Sequence, residues 1–371
     1  MSAFSATDHA LMARALRLAE RGLYTTRPNP MVGCVLAQGD EVVGEGWHQR
    51  KGGPHAEVFA LQAAGARAKG ATAYVTLEPC AHHGSTPPCA NALIAAGVGR
   101  VVAAMRDPFP QVDGAGFDAL RAAGAGITVE SGLMEAQARE LNRGFLARIE
   151  RGRPWLRVKL ATSLDGRTAM ASGDSKWISG EASRHDVQHW RARSGALLTG
   201  AGTVLADDPH LTVRLDDGID VVPPLRVVLD PGLATVARGH VREGAAPTLY
   251  IHAPDAKLPR GVAFEHAAVP AQGTRFDLDA VLRLLAARGI NEVQLEAGAT
   301  LAGAFLSAGL VDEVLLYVAP VLLGERARPL FDGLHIDAMT QRLKLQRIDS
   351  AVVGDDFRLL LRPLPAPVEA A

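Results

Sequence analysis

Only three cysteines, Cys34, Cys80 and Cys89, occur in 371 residues. That is too few for a disulfide scaffold and points to a reducing compartment. No Lys- or Arg-rich run appears, and the formal net charge of −1 comes from both signs mixed along the chain. The electrostatic footprint of a phosphate-backbone binder is missing, so no nucleic-acid partner is expected and a small soluble substrate fits better. The longest apolar stretch, Val314–Leu323, is broken by Pro320 and is too short to span a bilayer, so no membrane partner is expected. The N-terminus has no basic segment leading into an apolar run and does not read as a signal peptide. The expected location is therefore cytoplasmic. The second half carries no Gly-x-Gly-x-x-Gly and no Walker lysine motif, which removes support for Rossmann and P-loop readings. There is no internal repeat, and no low-complexity tract beyond a mild Ala/Gly bias.

What is present is a long, apolar-rich chain. With 48% apolar residues it can fill packed interiors, and its length favours two domains over one. Helical spacing marks residues 8–22, and Met31–Leu36 and Glu41–Glu45 read as strands joined at Gly39-Asp40. A helix from His55 to Gly65, a strand Ala73–Leu77, a helix from Pro88 through Ala96, a strand Arg100–Ala104, a helix 116–123 and a strand Ile127–Glu130 follow. The charged segment Arg148–Pro154, punctuated by Gly and Pro, reads as a linker between domains 1–147 and 155–371. Beyond it, strands Trp155–Leu160, Ala196–Thr199, Leu225–Leu229, Thr248–His252, Glu292–Glu296 and Glu313–Ala319 alternate with helices 181–193, 278–288 and 300–309. Both halves are therefore expected to be layered α/β domains.

The first half carries a compact set of chemistry-bearing residues: His55-Ala56-Glu57, Pro79-Cys80 and Cys89. One imidazole and two thiolates can hold Zn²⁺ as a formally neutral unit and leave one coordination position for water. Glu57 is the free carboxylate that would carry protons beside it. In mid-helix, His55 and Glu57 would point to nearly opposite sides, since each residue turns the helix by about 100°. The set converges only if His55 and Cys89 open helices, and Gly52-Gly53-Pro54 and Pro87-Pro88 supply those starts, with Pro54 near the first helical position. A structural zinc site is the alternative, but such sites usually have four protein ligands; His83 would have to be the fourth. Cys34 lies in an apolar strand and reads as a small core residue. The zinc-deaminase signature is His-x-Glu followed by Pro-Cys-x-x-Cys, and the present chain departs from it in the longer interval from Cys80 to Cys89.

That longer interval, Glu78-Pro79-Cys80-Ala81-His82-His83-Gly84-Ser85-Thr86-Pro87-Pro88-Cys89, resembles the deaminase half of the bifunctional riboflavin-biosynthesis deaminase/reductase family, as does Asn29-Pro30-Met31-Val32-Gly33 upstream. The resemblance implies a cytidine-deaminase-like three-layer α/β/α domain. It makes His55, Cys80 and Cys89 the zinc ligands and Glu57 the catalytic proton shuttle. Asn29, His48, His82 and Thr86 fall at substrate-binding positions. Ser85 stands where family members usually carry Arg or Lys, so the phosphate contact there must come from another group.

In the second half, Val158–Ala169, Leu198–Arg214 and Leu295–Ala304 are the dense segments. The last is a strand, a glycine turn and a helix start, which can offer free N–H groups to a phosphate but is a common arrangement. Together the three resemble the reductase half of the same family, implying a dihydrofolate-reductase-like α/β fold and NADPH. Matching positions place Ala161, Trp177, Thr203, Asp207 and Gly298, Ala299, Thr300, Leu301, Ala302, Gly303 and Ala304 around the cofactor. Lys159, Ser175, Arg191, Leu211, Arg214 and Glu296 fall around the sugar phosphate substrate, where guanidinium forks suit phosphate oxygens. Trp177 either caps the core or stacks on the cofactor. The implied activities are hydrolysis of the 2-amino group of 2,5-diamino-6-ribosylamino-4(3H)-pyrimidinone 5′-phosphate, then NADPH-dependent reduction of the ribosyl group of the product, 5-amino-6-(5-phosphoribosylamino)uracil, to ribityl. The implied partners are these pyrimidine ribosyl and ribityl phosphates and further copies of the chain, as homodimer or homotetramer. Rival readings are a cytidine- or tRNA-type deaminase carrying an unrelated reductase, and a zinc-stabilised binding protein that senses a nucleotide without chemistry.

Overall fold

Alternation along the strands builds the first half. Strand β1 (Gly33–Gln38) turns Cys34 and Leu36 to one face of its sheet and Val35 and Ala37 to the other, and all four are fully buried. β2 (Glu41–Trp47) pairs antiparallel to it; β3 (Thr72–Val75), β4 (Arg100–Ala103) and β5 (Thr128–Ser131) complete a sheet of order β2-β1-β3-β4-β5, with β1–β3 antiparallel and β3–β4–β5 parallel. Ala73, Val75 and Val101 repeat the Cys34 face, while Tyr74 and Val102 repeat the other. A sheet buried on both faces needs helices on both. Helices α1 (Ala6–Glu20), α5 (Glu135–Leu141) and α6 (Arg143–Arg151) cover one side; α2 (Ala56–Ala64), α3 (Cys89–Ala95) and α4 (Ala115–Ala122) cover the other. The result is the expected three-layer α/β/α arrangement.

This computed structural model describes residues 4–81, 87–124, 126–215, 218–244 and 246–364. The chain divides into two compact units, Met1–Gly152 and Arg153–Ala371. The stretch read as a linker is partly helix: Arg148–Arg151 form the last turn of α6, which ends at Gly152 in the left-handed region (φ 68°). Buried Phe145, Leu146 and Ala147 hold that helix on the sheet, and Glu150 and Arg151 at its end are exposed on its outer face.

Two glycines place α2. A Cβ on Gly44 would lie 2.3 Å from the Ala60 carbonyl oxygen, and one on Gly46 would lie 2.7 Å from that of Ala56. The helix therefore rests in backbone contact with β2, and its first turn is fixed relative to the sheet.

The second unit is built on β6 (Trp155–Ser163). With β7 (Arg167–Ala169), α7 (Glu181–Arg193), β8 (Ala196–Gly200), α8 (Ala201–Asp207), β9 (Leu225–Leu229), β10 (Thr248–His252), β11 (Glu265–Ala268), β12 (Ala271–Gln272), β13 (Arg275–Phe276), α9 (Leu278–Ala287), β14 (Glu292–Leu295), α10 (Ala299–Ser307), β15 (Glu313–Ala319), β16 (Arg328–Pro329), β17 (Leu345–Val353) and β18 (Asp356–Pro363) it makes an α/β fold. Its main sheet has nine strands in the order β11-β10-β9-β8-β14-β6-β15-β18-β17. The seven from β11 to β15 are parallel, and β18 and β17 add an antiparallel edge. Leu156, Val158, Leu198, Val227, Val293 and Leu295 pack one face against α9 and α10.

Candidate active sites

In the first unit the helix starts carry the chemistry. His55 is the N-cap of α2, with extended backbone (φ −78°, ψ 167°), and Cys89 is the first residue of α3. Pro54 therefore precedes the N-cap and lies two positions before the first helical residue, Ala56, near which it was expected. His55 Nδ1 lies 3.2 Å from Cys89 Sγ and 3.5 Å from Cys80 Sγ, and the Cys89 N–H donates to Cys80 Sγ at 3.4 Å. The ligand atoms of all three residues lie within 4.8 Å of one another. Two thiols this close share a negative charge. Hydrogen bonds from Cys89 and His55 bring Cys80 down to about 4, and the Cys80 sulfur, with burial, pushes Cys89 up. A dication offsets that repulsion for both sulfurs, so the donor set fits Zn²⁺.

Glu57, two residues into the same helix start, is 3% exposed, and its Oε2 has no hydrogen-bond partner among the described residues. Burial first, and the nearby Cys80 charge second, raise its carboxyl to about 7. A buried carboxyl with a free oxygen beside a cation site is equipped to exchange protons.

Asn29 and His48 form one side of this site. The His48 ring stands edge-on to that of His55, with centroids 5.4 Å apart. His48 Nδ1 faces the Pro54 carbonyl at 3.0 Å and Nε2 faces the Asn29 amide nitrogen at 3.1 Å. A carbonyl can only accept, so Nδ1 carries the proton and Nε2 accepts from Asn29. Burial, the largest effect, lowers the His48 pKa and keeps it neutral. The Asn29 carboxamide thus meets the neutral ring of His48 at the edge of the site. His82 and Thr86, with Ser85 and His83, lie outside the described residues. Cys34 is buried in the core between the sheet and α2 and α3, as its apolar strand implied.

In the second unit the parallel strands set the site. Register pairs Leu295 of β14 with Leu198 of β8 and Val158 of β6, so Glu296 follows at the strand ends beside Thr199 and Lys159. Open parallel sheets bind ligands at such carboxyl ends. Glu296 takes a two-pronged ion pair from Arg191 on α7, both contacts 2.7 Å, and a hydrogen bond from Gln294 at 2.9 Å. Despite burial, the Arg191 charge brings Glu296 down to about 2. Burial lowers Lys159, against the opposing pull of Glu296, and its ammonium stands 5.7 Å from the centre of the Tyr317 ring. Lys159, Arg191 and Glu296 thus form one charged group.

The remaining candidates border it. Arg191 also donates to the Thr212 carbonyl at 3.1 Å, and the Arg214 N–H donates to Gln188 of α7, which docks the Leu211–Arg214 segment on that helix. Leu211 is buried with φ 47°, and the Arg214 side chain is exposed. Lys176 Nζ reaches the Asp207 carbonyl at 3.4 Å, bringing the Ser175–Trp177 loop to the end of α8. Ala161 and Thr203 are half-buried on β6 and α8. Trp177 is not a core residue: it is 70% exposed, with the Arg184 guanidinium 4.6 Å from its ring centre. The Gly298–Ala304 stretch divides. Gly298 caps α10, and a Cβ there would meet open space, whereas Ala302 is packed in the core and a Cβ on Gly303 would lie 1.9 Å from the Asp332 carbonyl oxygen. The glycine at 298 sits at extended φ (−69°), so its use is access rather than turn geometry. That cradle, together with the exposed indole, suits a phosphate-bearing cofactor.

Two supporting residues escaped the sequence reading. The Glu78 carboxylate accepts four backbone N–H groups, from Asp107, Gly114, Gly116 and Phe117. Asn142, between α5 and α6, accepts from the Met31 N–H at 2.8 Å and donates to the Met31 carbonyl at 2.9 Å, pinning the Asn29–Val32 segment. Glu78 stood in plain view beside Pro79-Cys80; nothing in the sequence ties Asn142 to a partner 111 positions away.

Comparison with known proteins finds a family match in each unit. Residues 5–105 match the cytidine and deoxycytidylate deaminase zinc-binding region, and residues 154–359 match the RibD C-terminal domain. The riboflavin biosynthesis protein RibD of Escherichia coli (strain K12) is 50% identical over 366 residues, covering 95% of this chain and 99% of its own. The solved structure of Acinetobacter baumannii RibD (form 1) superposes with a TM-score of 0.90 at 46% identity, covering 96% of this chain and 99% of that one. A Thermotoga maritima structure described as a diaminohydroxyphosphoribosylaminopyrimidine deaminase/5-amino-6-(5-phosphoribosylamino)uracil reductase gives 0.84 at 34% identity, covering 96% of this chain and 99% of that one. With a zinc-deaminase site in one unit and a RibD C-terminal domain in the other, the chain belongs to the RibD family of bifunctional riboflavin-biosynthesis enzymes.

Proposed function

We propose that the first unit removes the 2-amino group of 2,5-diamino-6-ribosylamino-4(3H)-pyrimidinone 5′-phosphate as ammonia, and that the second reduces the ribosyl group of 5-amino-6-(5-phosphoribosylamino)uracil to ribityl with NADPH. The observation that carries the first step is the His55–Cys80–Cys89 cluster with the buried, half-unpartnered Glu57 beside it. His55, Cys80 and Cys89 would hold Zn²⁺, which when bound would supply Lewis acidity to the attacking water. Glu57 takes one proton from the attacking water and delivers it to the ring nitrogen, then carries that water's second proton to the departing ammonia. Asn29 and the neutral His48 orient the pyrimidine edge, with His82 and Thr86 of the Cys80–Cys89 interval as further contacts.

For the second step, Gly298–Leu301 at the start of α10, with Ala161, Trp177, Thr203 and Asp207, line the cofactor, which supplies the hydride. Ala302, Gly303 and Ala304 shape that turn from behind. Lys159 orients a sugar hydroxyl or the pyrimidine carbonyl; Ser175, Leu211, Arg214, Arg191 and Glu296 frame the sugar phosphate. Arg191 is already paired with Glu296, which leaves the exposed Arg214 the freer cation for phosphate oxygens. The protein works in the cytoplasm, a reading supported by three free thiols and, among the described residues, by no helix long and apolar enough to cross a membrane. It assembles as a homodimer or homotetramer, consistent with Ile348, Val352 and Phe357 exposed on the edge hairpin β17–β18.

Metal analysis coupled to ammonia release from the pyrimidine nucleotide tests the reading. Glu57→Gln is expected to retain one zinc, lose deamination by on the order of 10³-fold, and keep reductase turnover. A variant that loses no deamination removes Glu57 from the mechanism. Ammonia release from cytidine or RNA instead of the nucleotide would favour the other deaminase class.

A further inference from the structure

We propose that Glu78 is a positioning residue for the cation site: its carboxylate locks the Pro79–Cys80 strap to the first turn of α4 and so sets where the Cys80 sulfur stands. The inference rests on reading His55, Cys80 and Cys89 as a zinc site. Glu78 is 4% exposed, and each of its oxygens accepts two backbone N–H groups. Oε2 takes those of Asp107 (3.2 Å) and Gly114 (3.1 Å); Oε1 takes those of Gly116 (2.9 Å) and Phe117 (3.3 Å). Its own N–H donates to the Met105 carbonyl at 3.0 Å. Backbone and side chain of one residue therefore bind two different loops, the end of β4 and the start of α4.

The next two residues leave little play. Pro79 has a fixed φ and no N–H of its own. Its carbonyl is packed so tightly on α4 that a Cβ on Gly116 would lie 1.8 Å from the oxygen. The Cys80 carbonyl then accepts from Ala90 of α3 at 3.1 Å, and its sulfur accepts from the Cys89 N–H. Glu-Pro-Cys is thus a short lever, anchored at its first residue, stiffened at its second and carrying a ligand at its third. Only a carboxylate suits the anchor. Four donors converge on it, and a carboxamide would turn an NH₂ donor toward two of them.

The test is the rate at which zinc passes from the intact, zinc-loaded enzyme to a chromogenic chelator. Outer groups that hold metal ligands in place are typically worth about 10–100-fold in metal affinity. Glu78→Gln is expected to lose zinc at least about tenfold faster than the parent protein, with reductase turnover unchanged. Gly116→Ala approaches the same strap from the opposite side and is expected to labilise zinc as well, with Glu78 intact. The inference is overturned if Glu78→Gln lowers the unfolding temperature but releases zinc at the parental rate, since the residue then supports the fold and not the ligand. If Glu78→Gln does not fold, Gly116→Ala decides: fast zinc loss supports the lever and parental loss rejects it. A parent protein without stoichiometric zinc overturns the zinc reading itself, a different failure visible before any variant is made.

Discussion

Glu296 shows how one side chain ties stability to the reductase site. Its carboxylate sits between Arg191 and Lys159, and the Arg191 ion pair overrides burial to bring it from 4.5 to about 2. A carboxyl depressed on folding stabilises the folded state fully above its unfolded pKa, and that stabilisation is lost as pH falls through the folded value. Glu296→Gln leaves two buried cations without a counter-charge and is expected to cost about 3 kcal/mol at neutral pH. The gap between variant and parent should close progressively from about pH 4.5 down to about pH 2. Urea unfolding of the second unit at a series of pH values checks this, and a gap independent of pH would refute the assignment. Residues of this kind differ in how readable they are. His55, Glu57, Cys80 and Cys89 were legible because their chemistry demands those side chains and almost nothing else supplies it. Glu78 and Asn142 were not, because they bind backbone groups, which every residue has, and the sequence does not say whose.

At the level of elements, the legible ones were the strands β1 to β6, β8, β9, β10, β14 and β15 and the helices α1 to α4, α7, α9 and α10, most of them with a buried face of clear period. α5, α6, α8, β7, β11, β12, β13, β16, β17 and β18 were missed. β17 is exposed along most of its length, so no inward alternation marks it, and α6 was hidden by a charged end that resembles a linker. The joint between α5 and α6 has a functional consequence. Asn142 satisfies both backbone groups of Met31, two residues from the Asn29 amide that meets His48. Removing it leaves a buried N–H and C=O unpaired and frees the segment to shift. Asn142→Ala is expected to raise the KM for the pyrimidine nucleotide about tenfold, with kcat within about threefold and zinc content unchanged, since ground-state positioning is lost and the proton carrier is not touched. Steady-state deamination kinetics decide it. A fall in kcat at constant KM would place the effect at the cation site instead.

At the scale of the whole chain, each hydrophobic core found among the described residues draws on one unit alone: two cores from residues before Gly152 and three from residues after Arg153. The two family matches, 5–105 and 154–359, likewise share no residue. Separate cores mean that a ligand lost from one site need not disturb the packing behind the other. Cys80→Ser makes this quantitative. It replaces a soft thiolate by a hydroxyl that remains protonated at neutral pH and is a poor zinc ligand, so zinc binding and deamination should both be abolished. NADPH oxidation on the already deaminated nucleotide should stay within about twofold of the parent, because Lys159, Arg191 and Glu296 draw every contact described above from residues beyond 153. Supplied with the diamino substrate, the same variant should produce no ribityl product until deaminated nucleotide is added, at which point turnover resumes at once. If a folded, soluble Cys80→Ser protein loses reduction as well, the two sites depend on each other and the separation of the cores does not extend to function.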